Sequence, residues 1–544
     1  MSTTPLRVAV AGLGPKGLFA LERLVHHAAL RHAPVEVVAF EPHPVPGAGP
    51  VYDPAQPAYL RMNLAADRLD LWHGENAAVP AARRLSYTAW RRGHGPPTVT
   101  AEEERYPPRG LVGSYLADGL LRLRDALPPE VTLRIVPRTV SRMGRDGAAW
   151  SVVDADGGVT THDEVLLTVG HGTTIAAAPP SPWHHAAPLV PAVLPTGPAL
   201  TEGIAAGATV AVRGFALTFL DAALALTEGR GGAFAPTAEH GPVTYEPSGE
   251  EPGVLLPYSR TGRPMLAKPD PALARSIPGL PGILERGAAM LDAMPTPLRL
   301  RDHLLPVIHT TAAAVLRAAG GPATTPAPAG PADEIRRSLE VGAGRRAPGT
   351  PWALGQTWQG LYPSLVARLG GDGLATADWP AFLAVASEME RLAFGPPPLN
   401  AWRLLALVEA RRVDLGWVAG GRPETAGGVT ALALDGRRRP VDAVVNAVLA
   451  PPGVPTSRPA LVSGLLEDGA VRIAAHRRGL EVDCDGTCIA RDGGRSEGLA
   501  VVGRLAEDSV VGNDTLNRRL HPQTDCWARR VAGAAAAADL VHVS

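Results

Sequence analysis

Six residues near the start constrain this chain most. Gly12-Leu13-Gly14-Pro15-Lys16-Gly17 follows the apolar run Leu6–Ala11 and precedes a stretch, 18–30, in which leucines and alanines recur at helical spacing. Residues Val35–Phe40 then read as a second strand, closed by Glu41. Each position has a mechanical reason. Gly12 permits the tight turn, Gly14 lets the backbone approach a diphosphate, and Gly17 lets the helix pack close to the strand. The helix start that carries Pro15 and Lys16 offers free N–H groups and partial positive charge to phosphates, and Glu41 can accept hydrogen bonds from a ribose hydroxyl pair. The spacing predicts a dinucleotide-binding β-α-β unit.

A second unit of the same kind begins at 208–214, where an apolar strand ends in Gly214, followed by helical periodicity over 217–226. The fold expected is therefore α/β, with two dinucleotide-binding, Rossmann-like domains of the glutathione-reductase type and a mostly helical insertion. The boundaries read from the pattern are 1–190 for the first part of an FAD-binding domain and 191–269 for the first part of an NAD(P)-binding domain. A helical substrate region follows at 270–410, then return strands at 411–450 and the C-terminal part of the FAD domain at 451–544. Residues 413–418, 429–434 and 441–448 read as short strands, and 514–541 as a closing helix.

Composition narrows the function classes. With 544 residues the chain holds several domains. Lys+Arg 52 against Asp+Glu 53 leaves a net charge of -1, which argues against a nucleic-acid or membrane-surface partner. No run approaches the ~20 apolar residues of a membrane span, and the strand at residue 6 leaves no room for a leader, so the expectation is a cytoplasmic protein. Three cysteines, all late in the chain, supply neither a disulfide framework nor a four-ligand structural metal site. The basic side chains are almost all arginine, with lysine at Lys16 and Lys268 only.

Further motifs add candidates. The strand 165–169 ends at Gly170-His171-Gly172, like the strand that returns the chain to a flavin domain; His171 reads either as a loop histidine or as a base. After the second strand, Gly214-Phe215-Ala216-Leu217-Thr218 is a nucleotide turn with alanine at the phosphate approach, and Gly214 and Thr218 are its candidate contacts. Ser259 and Arg260 follow the strand 254–256. An arginine there can pair bidentately with a 2′-phosphate, which favours NADPH over NADH, or it is a surface side chain. Gly512-Asn513-Asp514-Thr515 reads as the cap of the last helix, with Asn513 and Asp514 aimed at a cofactor or serving as caps alone.

Together these stretches resemble the bacterial FAD/NAD(P)-binding proteins related to N-hydroxylating flavin monooxygenases, including urate-hydroxylase-like and aspartate N-oxygenase (nitrosuccinate-forming) members. The resemblance also rests on Gly49-Pro50-Val51-Tyr52, on Leu60-Arg61-Met62-Asn63, and on 107–113. Residues 245–249, 259–262 and Phe394-Gly395-Pro396-Pro397 extend it along the chain. It implies FAD and NADPH as cofactors, with NADH left open, and O2 and a small molecule as substrates. Oxygen would be transferred through a flavin C4a-hydroperoxide to the amino group of an amino acid or small amine in secondary metabolism. Met62 and Asn63 would line the flavin. No catalytic side chain is required, because the chemistry is borne by the cofactor. Arg61 and Arg109 read either as binders of a substrate carboxylate or as structural ion-pair partners.

Two other readings stay open: an NAD(P)H-dependent flavin oxidoreductase or oxidase that oxygenates nothing, and a nucleotide-binding protein without turnover. A disulfide reductase is disfavoured, because Cys484 and Cys488 lie outside the places where such enzymes keep their redox pair. Substrate identity and oligomeric state are not written in the pattern.

Overall fold

In the computed structural model, the described residues are 4–72, 74–95, 101–170, 187–191, 198–237, 241–454, 460–513 and 516–543. The chain builds two parallel sheets. The first comprises β1 (Leu6–Ala11), β2 (Val35–Phe40), β3 (Val131–Val136), β7 (Glu164–Leu167), β17 (Thr487–Ile489) and β18 (Arg495–Val501), in the order β17-β18-β7-β1-β2-β3. All neighbours run parallel except β17, which pairs antiparallel with β18. Parallel strands need crossovers and covered faces, which is why β1 and β7 are buried along nearly their whole length.

The helix α1 (Pro15–Arg31) lies on one face of this sheet and packs against the C-terminal helix Gln523–Val543. His27 Nε2 meets Asp525 Oδ1 at 2.8 Å, and Arg518 Nη1 meets the buried Glu22 Oε2 at 2.9 Å. A three-stranded antiparallel meander, β4 (Val140–Asp146), β5 (Ala149–Asp154) and β6 (Val159–His162), sits on the other side, with Trp150 in the core between them.

The second sheet is wholly parallel: β8 (Leu189–Pro191), β9 (Thr209–Arg213), β12 (Val254–Tyr258) and β16 (Ala443–Asn446), ordered β12-β9-β16-β8. The hairpin β10 (Ala233–Pro236) with β11 (Val243–Glu246) and the meander β13 (Arg422–Ala426), β14 (Val429–Leu434) and β15 (Arg437–Pro440) flank it. Residues 270–410 are helical, the longest helices being Leu280–Asp292, Leu305–Ala318, Thr350–Leu369 and Trp379–Ala393 around their own core of Trp358, Trp379 and Phe382.

Two sequence-based expectations differ. Residues 413–418 contribute only a single bridge, Val413 to Leu255, because Asp414 Oδ1 accepts from the Gly416 N–H at 2.9 Å and the chain turns there. The last helix begins at Gln523 rather than near 514. Pro522 stands immediately before it, where a missing N–H costs no hydrogen bond, and the Cys526 N–H donates back to the Pro522 carbonyl. No described helix is long and apolar enough to cross a membrane.

Candidate functional site

The opening turn sits where β1 ends and α1 begins, at the carboxyl edge of the first sheet, the edge where such sheets take ligands. Gly12 has φ +95°, and a Cβ there would lie 2.7 Å from the Thr168 carbonyl oxygen. Any side chain is excluded, because β7 passes directly alongside. A Cβ on Gly17 would overlap the Gly12 carbonyl oxygen, which binds the helix tightly to the strand. Gly14 differs: the nearest atom to its Cβ position is Gly49 Cα at 4.0 Å, so this glycine faces a groove rather than the protein. The three glycines thus divide into two that close the turn and one that opens it to a ligand.

Glu41 is buried at the end of β2 and ties the turn to the next strand. Its Oε2 accepts from the Leu13 N–H at 2.7 Å and its Oε1 from the His43 N–H at 2.9 Å. Each carboxylate oxygen keeps a second lone pair for a hydroxyl donor. Beside this turn, Lys16, Phe19, Val502, Asn513, Arg518, His521, Gln523 and Thr524 line a cavity of about 300 Å³.

Two buried polar atoms on that wall, His521 Nδ1 and Gln523 Oε1, have no hydrogen-bond partner among the described residues. Burial, with nearby Lys16, pushes the His521 pKa down to about 4. The ring is therefore neutral, and since Nε2 donates to the Val511 carbonyl at 2.8 Å, Nδ1 is left as an acceptor. The open glycine at the helix start fits a diphosphate, while the Glu41 carboxylate and the two unmatched acceptors, His521 Nδ1 and Gln523 Oε1, fit hydroxyl or N–H donors such as those of a flavin dinucleotide. Sequence reasoning missed His521 and Gln523; only the tertiary packing of the last helix brings them to Lys16.

Asn513 is buried, with its amide donating to the Val510 carbonyl at 2.6 Å. It caps no helix, since the helix starts ten residues later, and Asp514 lies outside the described residues, as does His171. Gly170 is exposed with φ +61°. Met62 is buried, its N–H donating to the Pro107 carbonyl at 2.8 Å. Asn63 Nδ2 donates to the Phe394 carbonyl at 2.8 Å, while its Oδ1 is buried without a partner among the described residues. The Phe394 ring meets Tyr362 edge-on at 5.1 Å, and Tyr362 packs on Gly512. The helical region therefore closes over the loops 60–63 and 510–513.

The two arginines expected to meet a substrate carboxylate are committed internally. Arg61 is buried, its Nη2 2.8 Å from Glu103 Oε1 and its Nη1 donating to the Tyr106 carbonyl at 3.1 Å. Arg109 Nη2 lies 2.7 Å from Asp221 Oδ2, and its Nε donates to the Arg61 carbonyl at 3.1 Å. Burial raises the Asp221 pKa against the opposing pull of Arg109, so Arg109 neutralises a carboxylate that the core encloses. Both side chains are structural ion-pair partners.

At the second sheet, Gly214 has φ +108°, and a Cβ there would stand 2.6 Å from the Ala447 carbonyl oxygen. Thr218 lies half-buried in the first turn of the helix Leu217–Leu226, which Ala216 precedes with its methyl exposed. Ser259 Oγ donates to the Val418 carbonyl at 3.3 Å and accepts from the Gly262 N–H at 3.0 Å, holding the turn after β12. That turn presents Arg260, which is exposed and has no ion-pair partner among the described residues. A mostly apolar cavity of about 310 Å³ adjoins Ala216, lined by Phe215, Pro264, Met265 and Pro396 among others.

Residues 9–172 match the model of the FAD-NAD(P)-binding family. The match spans less than a third of the chain. The matched segment spans β1, the glycine turn, β2 and β7, which are the elements that build the groove just described.

Curated relatives extend the likeness. The L-aspartate N-monooxygenase (nitrosuccinate-forming) of Streptomyces cremeus is 33% identical over 297 residues, which is 49% of this chain and 44% of that protein. The nitrosuccinic acid synthase of Aspergillus oryzae is 30% identical over 285 residues, 50% of this chain and 42% of that one. The matched region is thus less than half the length of these relatives. Among solved structures, the ornithine hydroxylase of Pseudomonas aeruginosa in its reduced form has a TM-score of 0.53 at 12% identity, covering 97% of this chain and 99% of that one. The L-lysine 6-monooxygenase of Pseudomonas syringae has a TM-score of 0.50 at 13% identity, covering 98% and 100%. These likenesses show the fold: two nucleotide-type domains in one chain.

Proposed function

We propose that this protein is a flavin-dependent, NADPH-consuming monooxygenase that oxygenates the amino group of a small amino acid or amine. The observation that carries this reading is the presence of two separate strand–glycine–helix turns, at Gly12–Gly17 and Gly214–Thr218, each at the carboxyl edge of its own parallel sheet. A chain built to hold one nucleotide needs one such turn. Two suit a pair in which one cofactor reduces the other, and the aspartate N-monooxygenase relatives supply the reaction class.

FAD would be held by Gly12, Gly14 and Gly17 with Pro15 and Lys16 at the helix start, by Glu41 at a ribose, and by Met62 and Asn63 near its ring. When bound and reduced, it supplies the activation of O2. The chain positions the amine, excludes water through the helical cover and presents Arg260 to the nicotinamide dinucleotide. In the balanced reaction one oxygen atom enters the N–H bond of the amine to give N–OH. The other leaves as water, with NADPH and a proton providing the two reducing equivalents.

The test is a coupled assay on purified protein. Acid-released FAD at close to one per chain, and NADPH oxidation accelerated by an amino acid and matched by hydroxylamine, nitroso or nitro product, support the reading. Hydrogen peroxide equal to the NADPH consumed with every amine tried makes the protein an oxidase. Absence of flavin binding makes it a nucleotide-binding protein of another kind.

A further inference from the structure

Within the segment 59–62 the chain changes core. Tyr59 and Leu60 are buried with Val210, Phe219 and Ala222 in the core of the second sheet, whereas Met62 is buried in the core of the first. Arg109 holds this seam. Its backbone N–H donates to the Leu60 carbonyl at 2.8 Å, and its Nε donates to the Arg61 carbonyl at 3.1 Å. The Met62 N–H completes the ladder on the Pro107 carbonyl at 2.8 Å. From the same guanidinium, Nη2 reaches Asp221 Oδ2 at 2.7 Å. Asp221 is buried in the helix Leu217–Leu226, within one turn of Thr218. One side chain therefore joins the glycine turn of the second sheet to the loop 60–63.

Nothing local asks for an arginine at 109. It is the first residue of the helix Arg109–Arg124, whose first turn has no acidic side chain, and a cation there opposes the helix dipole. Stability alone does not ask for it either, since an apolar pair in place of two enclosed charges is often as stable or more so. What the charged pair adds is direction. The planar fork fixes the Asp221 carboxylate and the Arg61 carbonyl relative to each other, which apolar packing does not.

We infer that Arg109 is a positioning residue that couples the second nucleotide turn to the loop 60–63. A dinucleotide that orders the start of the helix Leu217–Leu226 also steadies the Asp221 carboxylate and, through Arg109, the backbone of residues 60–62. Such coupling needs no change of shape: a ligand that removes motion at one end of the pair leaves less to be lost at the other. Met62 and Asn63 follow directly, so the loop keeps its flavin-facing arrangement while the reductant is bound. That last step rests on the monooxygenase reading above; the link from helix to loop does not.

The experiment reads amide hydrogen exchange in the full chain, with FAD supplied, as 2′-phospho-ADP-ribose is added. This probe carries the diphosphate but lacks the nicotinamide, which could itself cover residues near a flavin. In wild type, exchange slows about fivefold or more at 214–218 and, in parallel, at 60–63 and Arg109. In Arg109→Met with Asp221→Leu, which leaves no charge of the pair buried, the slowing at 214–218 is kept and that at 60–63 is lost. Arg109→Lys offers a point charge that cannot hold both acceptors in the geometry of the fork. It loses most of the effect at 60–63 as well, and it serves if the double variant does not fold. Slowing confined to 214–218 in wild type overturns the coupling, as does an effect at 60–63 undiminished in the variants. Wild-type protein unchanged at 214–218 with about 1 mM probe overturns it too. Coupled slowing in protein that takes up no FAD keeps the coupling and removes the flavin reading. Flavin-loaded wild type that oxygenates an amine without any slowing at 60–63 does the reverse.

Discussion

The Leu13 N–H donates to Glu41 Oε2 at 2.7 Å, so the acid at the end of the second strand is also the clasp of the glycine turn. With the ribose contact proposed above, Glu41 has two tasks, and its removal tests both. In Glu41→Ala the Leu13 and His43 N–H groups lose their buried acceptor, a cost of about 2 kcal/mol or more, while the ribose loses its partner. The expected outcome is a folded but less stable protein, purified with little or no flavin. Denaturant midpoints and the ratio of flavin to protein absorbance measure the two effects, and full flavin occupancy rejects the ribose role.

The glycines of the same turn make a sharper contrast. Gly14 has φ −73° and no atom closer than 4.0 Å to its Cβ position, so Gly14→Val is expected to fold and to fill the groove proposed for the diphosphate. Gly17→Val must push its side chain into the Gly12 carbonyl and to within 3.0 Å of Thr168 Oγ1. It is expected to lose more than about 4 kcal/mol or to be insoluble. Thermal melts of the two apoproteins, with FAD titration of the soluble one, decide the matter; FAD affinity in Gly14→Val equal to wild type refutes the groove.

Arg109 offers a test of structure against substrate binding. Arg109→Met strands the Asp221 carboxylate in the core and is expected to cost about 3–5 kcal/mol. In Arg109→Met with Asp221→Leu, no charge is left buried, and most of that loss returns. A carboxylate-binding role predicts instead little change in the unfolding midpoint for the single variant.

How far the sequence reached depends on whether a feature is local. The first turn is legible because strand, glycines, helix and Glu41 lie within 36 residues of sequence (6–41), and each position carries its own backbone or side-chain demand. The second turn is legible for the same reason, even with Ala216 in it. The ion-pair alternative for Arg61 and Arg109 was open in the sequence, but their partners were not legible, since Glu103 and Asp221 meet them only through folding, across 42 and 112 positions. The start of the last helix was misread because Asn, Asp and Thr at 513–515 are good caps in isolation, whereas Pro522 sets the boundary. Lys268 carries no local signal at all. Its lowered pKa, set by burial first and then by Arg105 and Arg68, depends on tertiary packing.

Arg260 stands exposed after β12 on a turn braced by Ser259 and Gly262, a placement suited to a 2′-phosphate. Charge-assisted bidentate pairs contribute about 1.5–3 kcal/mol. Arg260→Ala is therefore expected to raise the KM for NADPH about tenfold or more and leave that for NADH nearly unchanged. Steady-state kinetics with both nucleotides check this, and equal effects on the two remove the phosphate contact.

Lys268 should leave a mark on the pH dependence of stability. Burial, helped by Arg105 and Arg68, pulls its pKa from 10.5 down to about 8. Below about 8 both folded and unfolded chains hold the proton, and the fold bears the whole penalty of an enclosed, unpaired charge. Between about 8 and 10.5 the unfolded chain binds more protons than the folded one, so this site's contribution to stability rises with pH and the penalty fades. Lys268→Met carries no charge to bury. It is expected to melt above wild type at pH 7 and to lose most of that advantage by pH 10, measured in matched buffers with any anion dialysed away. An advantage that stays constant or grows with pH contradicts an enclosed ammonium.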